Sequence, residues 1–376
     1  MTPRSQSPLE AVRAFSRTAA FVLRVMPMLP SEWLDRRSPV PRYEQVVLPG
    51  RDARVPCELY CPAGTGPFAG VVVCLGVIPF DVTHPQVKRL GTALARSGFA
   101  TLIVWSSDMR SLRIAPRDTE LLVDAFRWLS TQSFVDPKRC GFLGTCVGAG
   151  FSLLAAADTG IRDRVAFLTC FAPFGTLRTL ALDIGSGTTE IDGIRRAWDV
   201  DQLSRHVYVR TLTAGLDPGE AARLETAWFE RLSLPDAATL SPAGRELLPL
   251  LQTTDRARLA ALLDRHPTLR ATVDAVSPVA KASEVLAPSV SIGHDYDDGV
   301  IPFGESQRLF AAFAGRPGVA LTTFHLFQHA DPTKRAISPI ALLGELLKFA
   351  RFAGGSIRYA ADGHGRSNRG GMLERQ

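Results

Sequence analysis

From Tyr43 onward, short unbroken apolar runs alternate with stretches whose apolar residues recur every three to four positions. Residues 43–48 and 53–61 alternate in the manner of two paired strands, with Pro49-Gly50-Arg51-Asp52 as the turn between them. Val71–Leu75, Phe99–Trp105, Gly141–Gly144 and Val165–Phe171 are continuous apolar runs, the signature of strands buried on both faces. Residues 84–97 and 117–132 read as helices between them, so the order strand, helix, strand predicts a mostly parallel central sheet flanked by helices.

The alternation stops after Phe171. Residues 175–283 hold helix-like segments (192–212, 218–231, 243–250, 254–264 and 267–275) without a buried strand, which predicts a helical cap inserted at the sheet edge. A strand returns at Pro288–Gly293, followed by a helix over 304–314, a strand over Val319–Phe324 and a helix over 338–352. The expected organisation is an N-terminal helical extension (1–42), an α/β core in two pieces (43–174 and 284–353), the cap (175–283) and a disordered Gly- and Arg-rich tail (354–376). Within the extension, Leu9, Val12, Phe15, Ala19, Val22 and Met26 fall at helical spacing and Pro27 and Pro30 end the pattern. The stretch is too short to span a bilayer. Packing on the body is the first expectation for it, and weak contact with a membrane surface the second.

Charge changes this picture little. The net charge is +6, but residues 1–42 carry seven arginines against three acids and residues 351–376 five against two, which leaves −1 for everything between. A neutral body with basic ends offers no stripe for nucleic acid. The six cysteines lie in apolar runs without Cys-x-x-Cys spacing or a histidine cluster, so neither a metal site nor a disulfide framework is expected and a reducing cytoplasm is the simplest compartment. No cofactor-binding motif is recognised, and the expected partner is a small acyl substrate.

Chemistry concentrates at Gly144-Thr145-Cys146-Val147-Gly148, between the Gly141–Gly144 strand and a small-residue helix. A side chain at such a bend projects above the sheet edge, its close neighbours must be small, and the next N–H, that of Val147, points at a developing oxyanion. The pentapeptide also fits a tight packing turn with Cys146 as a small buried hydrophobe. Two later loops weigh against that reading. His294-Asp295-Tyr296-Asp297-Asp298-Gly299-Val300-Ile301-Pro302 follows the penultimate strand and supplies acids; His325-Leu326-Phe327-Gln328-His329 follows the last strand and supplies a base. Nucleophile, acid and histidine, in that order and at C-terminal strand ends, are the parts of a triad.

The segment 43–352 resembles the α/β-hydrolase superfamily, and the cysteine in Gly-x-Cys-x-Gly is similar to its dienelactone hydrolase branch. Asp298-Gly299-Val300-Ile301-Pro302 and Gln328-His329 resemble the superfamily's acid and histidine motifs, which implies Cys146, Asp298 and His329 as a triad, with Asp295 and Asp297 open as the acid and His325 as the weaker base. The family's His-Gly at the oxyanion loop is Leu75-Gly76 here, so the backbone N–H of Val77 is the donor carried over beside Val147. No glutamate occurs in residues 75–80 and the insertion is large, so dienelactones are not the expected substrate. The resemblance implies hydrolysis of an ester, lactone or thioester through an acyl-cysteine. Acyl transfer or cyclisation through the same intermediate, and a non-catalytic ligand-binding protein on this fold, are the alternatives. Phe174, Trp198, Tyr208, Trp228 and Phe229 are candidates to line an apolar acyl pocket or to form the core of the cap.

Overall fold

A computed structural model describes residues 8–49, 54–78, 83–329, 333 and 338–361. The first segment forms helix α1 (Pro8–Val25), and the hairpin strands β1 (Arg42–Pro49) and β2 (Arg54–Cys61) follow. Residues 50–53, most of the expected turn, lie outside the described residues. Then come β3 (Phe68–Cys74), α2 (Pro85–Arg96), β4 (Phe99–Val104), α3 (Asp118–Ser130), β5 (Val135–Thr145), α4 (Val147–Ala156) and β6 (Phe167–Phe171). The eight-stranded sheet is completed by β9 (Val290–Asp295) and β10 (Val319–Phe324), in the order β1-β2-β4-β3-β5-β6-β9-β10. Strands β1 and β2 pair antiparallel with each other, β2 pairs antiparallel with β4, and every later pair is parallel.

Alternation along β3 explains why its residues are apolar throughout. Val72 and Cys74 face one helical layer, with α3 and α4, while Ala69, Val71 and Val73 face the other, with α1, α2 and α12 (Pro339–Ala361). Each fully buried valine or phenylalanine of this kind contributes about 1.5–3 kcal/mol. Helix α1 packs on the body: Arg17 donates to the carbonyl of Ala360 at 2.6 Å and Phe21 stacks on Phe349 at 6.5 Å.

Two expectations need correction. Residues 354–361 belong to α12 and are not disordered; residues 362–376 lie outside the described residues. Gly354-Gly355 reads as a flexible start, yet a Cβ at Gly355 would sit 2.3 Å from the Ser291 hydroxyl, so this glycine lets the helix approach β9, and Ile357 and Ala360 beyond it are buried. Nor is the segment 175–283 only helical. Helix α5 (Leu177–Ser186) precedes a two-stranded hairpin of β7 (Thr188–Ile191) and β8 (Ile194–Ala197), and α6 begins only at Gln202 and runs to Leu212. Asp192 and Gly193 both have positive φ, 54° and 74°, which a tight hairpin turn requires. Helices α7 (Pro218–Phe229), α8 (Pro242–Gln252), α9 (Arg256–Arg265) and α10 (Pro267–Ala275) follow, and α11 (Phe303–Ala312) lies between β9 and β10.

Candidate active site

Register brings three strand ends together. Thr145 of β5 pairs with Phe171, Phe171 with Gly293, and Asp295 of β9 with Phe324 of β10, so the loops leaving β5, β9 and β10 emerge along one edge of the sheet. Cys146 is the first residue beyond β5. Its φ of 55° and ψ of −139° are rare for a side-chain-bearing residue, a strain of about 1–3 kcal/mol that the surroundings must hold. They do so through its N–H, which donates to Phe171 O at 2.9 Å, and its carbonyl, which accepts from Ala149 N at 3.0 Å. The flanking glycines are sterically obligatory. A Cβ at Gly144 would lie 2.4 Å from the Ala149 Cα, and one at Gly148 would lie 2.4 Å from the Cys74 carbonyl oxygen.

This strained bend on a strand-to-helix turn, over a mostly parallel eight-stranded sheet, decides the architecture. The chain adopts the α/β-hydrolase fold. No family model matches the sequence and no curated protein matches it. Among solved structures, the likenesses include Pyrococcus horikoshii acylaminoacyl peptidase (13% identity, TM-score 0.47, covering 85% of this chain and 41% of that one). They also include 2,6-dihydroxy-pseudo-oxynicotine hydrolase (15%, 0.48, 85% and 70%) and a Pyrobaculum calidifontis esterase (16%, 0.46, 96% and 94%). The chain thus spans well under half the length of the peptidase.

In this α/β-hydrolase fold, Asp298 follows β9 and is buried. Its Oδ1 accepts from Val300 N at 2.7 Å and Ile301 N at 3.0 Å, and its Oδ2 lies 2.9 Å from His329 Nδ1. Burial alone would raise this carboxyl, but the charge of His329, with hydrogen bonds from His294 and His329, holds it well below the usual carboxylate range. His329 follows β10 in unusual backbone, with φ of 48° at Gln328 and 137° at His329. Burial would lower its imidazole, yet the Asp298 carboxylate, and after it the Cys146 thiol, raise it well above the ordinary histidine value. The imidazole is also coupled electrostatically to Cys146, and with Nδ1 on Asp298 the nitrogen left for the thiol is Nε2.

The competing residues are placed elsewhere. Asp295 accepts from Phe327 N at 2.6 Å and Asp297 N at 3.1 Å, which ties the two loops together, and Asp297 is exposed. His325 is exposed, with its N–H on Glu345 at 2.9 Å and its ring 5.7 Å from Tyr296.

The loop after β3 packs directly on the elbow. Gly76 has φ of 74°, and a Cβ there would lie 2.7 Å from Thr145 O and 2.8 Å from Gly148 N. Thr145 Oγ1 donates to Leu75 O at 2.8 Å and fixes the loop from below. Val77 and Val147 consequently line, with Cys146, a cavity of about 470 Å³.

The remaining wall is aliphatic, contributed by Leu177, Leu180 and Ile184 of α5, Val207 of α6, Leu247 of α8 and Leu263 of α9 among others. Its ionisable lining groups include Glu246 and His266, 3.5 Å apart, and neither lysine nor arginine lines it among the described residues. Of the five candidate aromatics only Tyr208 faces the cavity. Phe174 packs edge-on to Phe151, Trp228 lies against Tyr208, Phe229 stacks on His206, and Trp198 donates to Asp298 O at 3.0 Å. Cys146 itself is only 3% exposed, although an elbow position alone predicts exposure, because the elbow lifts it into a space roofed by helices. Trp198 and Thr145 carry no sequence signal for their roles. His294 lies four residues before Asp298, but nothing in its spacing marks it.

Proposed function

We infer that this chain is a hydrolase of carboxylic esters, lactones or thioesters that works through an acyl-cysteine on Cys146. The observation that carries the reading is the hydrogen bond of the buried Asp298 carboxylate to the His329 imidazole, which is in turn coupled electrostatically to Cys146 on the strained strand-to-helix turn. In this reading Nε2 of His329 takes the thiol proton as sulfur bonds to the acyl carbon, and Asp298 stabilises the imidazolium so formed. The carbonyl oxygen becomes an oxyanion held by the N–H groups of Val147 and Val77. As the tetrahedral intermediate collapses, the bond to the leaving oxygen or sulfur breaks and His329 returns its proton to that atom. Water then gives a proton to His329, attacks the thioester, and releases the acid and the free thiol.

A largely aliphatic cavity, with neither lysine nor arginine among its described lining residues, favours an uncharged apolar acyl group. The burial of Cys146 also favours a second reading, transfer of the acyl group to a hydroxyl or amine that excludes water. Intact-protein mass after exposure to activated aliphatic esters and acyl-thioesters tests both: a single acyl adduct is expected, absent in Cys146→Ala. Turnover that survives Cys146→Ala defeats the proposal, and a product carrying an added amine or alcohol, in place of the free acid, selects transfer over hydrolysis.

A further inference from the structure

His294, at the end of β9, has no accessible surface and no part in the proton transfers above. Its Nε2 lies 2.8 Å from Ile301 O and 3.4 Å from Asp298 Oδ2, while its Nδ1 lies 2.6 Å from Ser306 Oγ on α11. A carbonyl can only accept, so Nε2 carries a proton, while the Ser306 hydroxyl lies against both Nδ1 and, at 3.4 Å, Pro173 O. The ring stands edge-on to Phe303 at 5.8 Å, which closes its remaining side. The Nε2–H is thus given to the backbone, with the carboxylate oxygen that faces His329 beside it at 3.4 Å. Charged groups around it are otherwise engaged. Glu305 accepts from Gly175 N, Thr176 N and Arg308, and Asp295 accepts from Phe327 N and Asp297 N.

We propose that His294 is a positioning residue: with its Nε2–H edge set by Ile301 O and its Nδ1 braced by Ser306, it holds Asp298 Oδ2 on the line to His329, a role that rests on the acyl-cysteine reading of this site. The carboxylate has its Oδ1 anchored by two backbone N–H groups, with His329 Nδ1 at 3.2 Å, and its Oδ2 set between two imidazoles. Without the second imidazole, Oδ2 keeps only the group it is meant to orient, and rotation of the carboxylate is no longer opposed from the far side.

The test needs no substrate. The rate of Cys146 alkylation by iodoacetamide is followed against pH, with thermal unfolding recorded alongside, in wild type, His294→Leu, His294→Gln and Ser306→Ala. Loss of this polar contact with a charged group predicts that His294→Leu alkylates about tenfold more slowly at neutral pH. Its acid limb should move up by about one pH unit. His294→Gln, whose amide offers a donor where Nε2–H stood, should restore most of the rate, and Ser306→Ala should move the limb part of the way in the same direction. A purely structural role would lower the unfolding temperature and leave the limb in place. An unmoved limb in both His294→Leu and Ser306→Ala overturns the proposal. So does a limb moved downward, the result of a carboxylate made more basic without being misplaced. Should His294→Leu fail to fold, Ser306→Ala and His294→Gln decide, and an unmoved limb in Ser306→Ala then counts against it. Wild-type protein without selective alkylation at Cys146 defeats the acyl-cysteine reading itself. Alkylation that depends on Asp298 and His329 but not on His294 defeats this inference alone.

Discussion

Replacing Asp298 by Asn keeps the side chain's shape and changes one atom, and the surroundings dictate what that atom does. Oδ1 is fixed as an acceptor by Val300 N and Ile301 N, so the amide NH₂ must occupy the place of Oδ2. There it meets His294 Nε2–H, donor against donor, and it presents a donor to His329 Nδ1. The imidazole then accepts at Nδ1 and carries its proton on Nε2, toward the sulfur, which is the tautomer unable to take a proton from Cys146. The same exchange in the serine-protease triad lowers turnover about 10⁴-fold, and a loss of that order is expected here for any substrate found by the adduct screen. The buried donor clash costs about 1–3 kcal/mol of stability. Denaturant unfolding and burst-phase acylation kinetics separate the two effects. Asp297→Asn should match wild type in both, because Asp297 is exposed. Asp295→Asn should lose stability through its contact with Phe327 N while retaining most of its acylation rate. Wild-type acylation in Asp298→Asn would falsify the assignment of the acid.

The other expectations follow from the same geometry. Limiting iodoacetamide followed by peptide mapping should find Cys146 modified first, since burial pushes Cys57, Cys74 and Cys140 up to about 12 and also raises Cys61 and Cys170, while only Cys146 faces an imidazole; dominant labelling at any of the other five refutes it. His329→Ala should abolish turnover and slow that labelling near neutral pH, whereas His325→Ala, an exposed ring on Tyr296, should do neither. Gly76→Ala should lower the acylation rate about 10²- to 10³-fold, because its Cβ displaces backbone that sets Val77 against the elbow; an unchanged rate removes Val77 from the oxyanion site. The folded carboxyl of Asp298 is depressed, so its contribution to stability is present above the unfolded value of about 3.9 and is lost as pH falls below it; the stability gap between wild type and Asp298→Asn should therefore close in acid, and a gap constant from neutral pH to pH 2 contradicts the ion pair.

What the sequence reveals of this fold is set by how local the cause of each element is. Strands β3, β4 and β6 and the Gly141–Gly144 end of β5 are legible because a strand buried on both faces is apolar along its length, whereas the start of β5, with Asp136, Lys138 and Arg139, is not. The hairpin β7–β8 escapes such reading because its strands have four residues each and β8 carries Arg195 and Arg196, although Asp192-Gly193 was a usable turn signal. The helix beyond Gly354 escapes it for a different reason. Paired glycines lower intrinsic helix preference, and what restores the helix is the contact of Gly355 with Ser291, a residue 64 positions away whose proximity no local pattern encodes.

The same division runs through the site. Cys146, Asp298 and His329 are legible because each must sit just beyond the end of a parallel strand, and chain order then fixes their sequence. Choosing Asp298 over Asp295 and Asp297 depends on something narrower: a carboxylate two and three residues before Val300 N and Ile301 N can cap its own turn and still present the second oxygen outward, whereas Asp295, still within β9, is directed to the neighbouring loop at Phe327 N. His294 has no such local cause. It reaches Asp298 only because the turn folds back over the strand end, placing Ile301 O and Oδ2 before the same nitrogen while α11 brings Ser306 to the other. A residue that acts on the acid from behind is therefore found by tracing where each buried donor goes, since burial of an imidazole with unfilled valences is too costly for such a ring to sit there without partners.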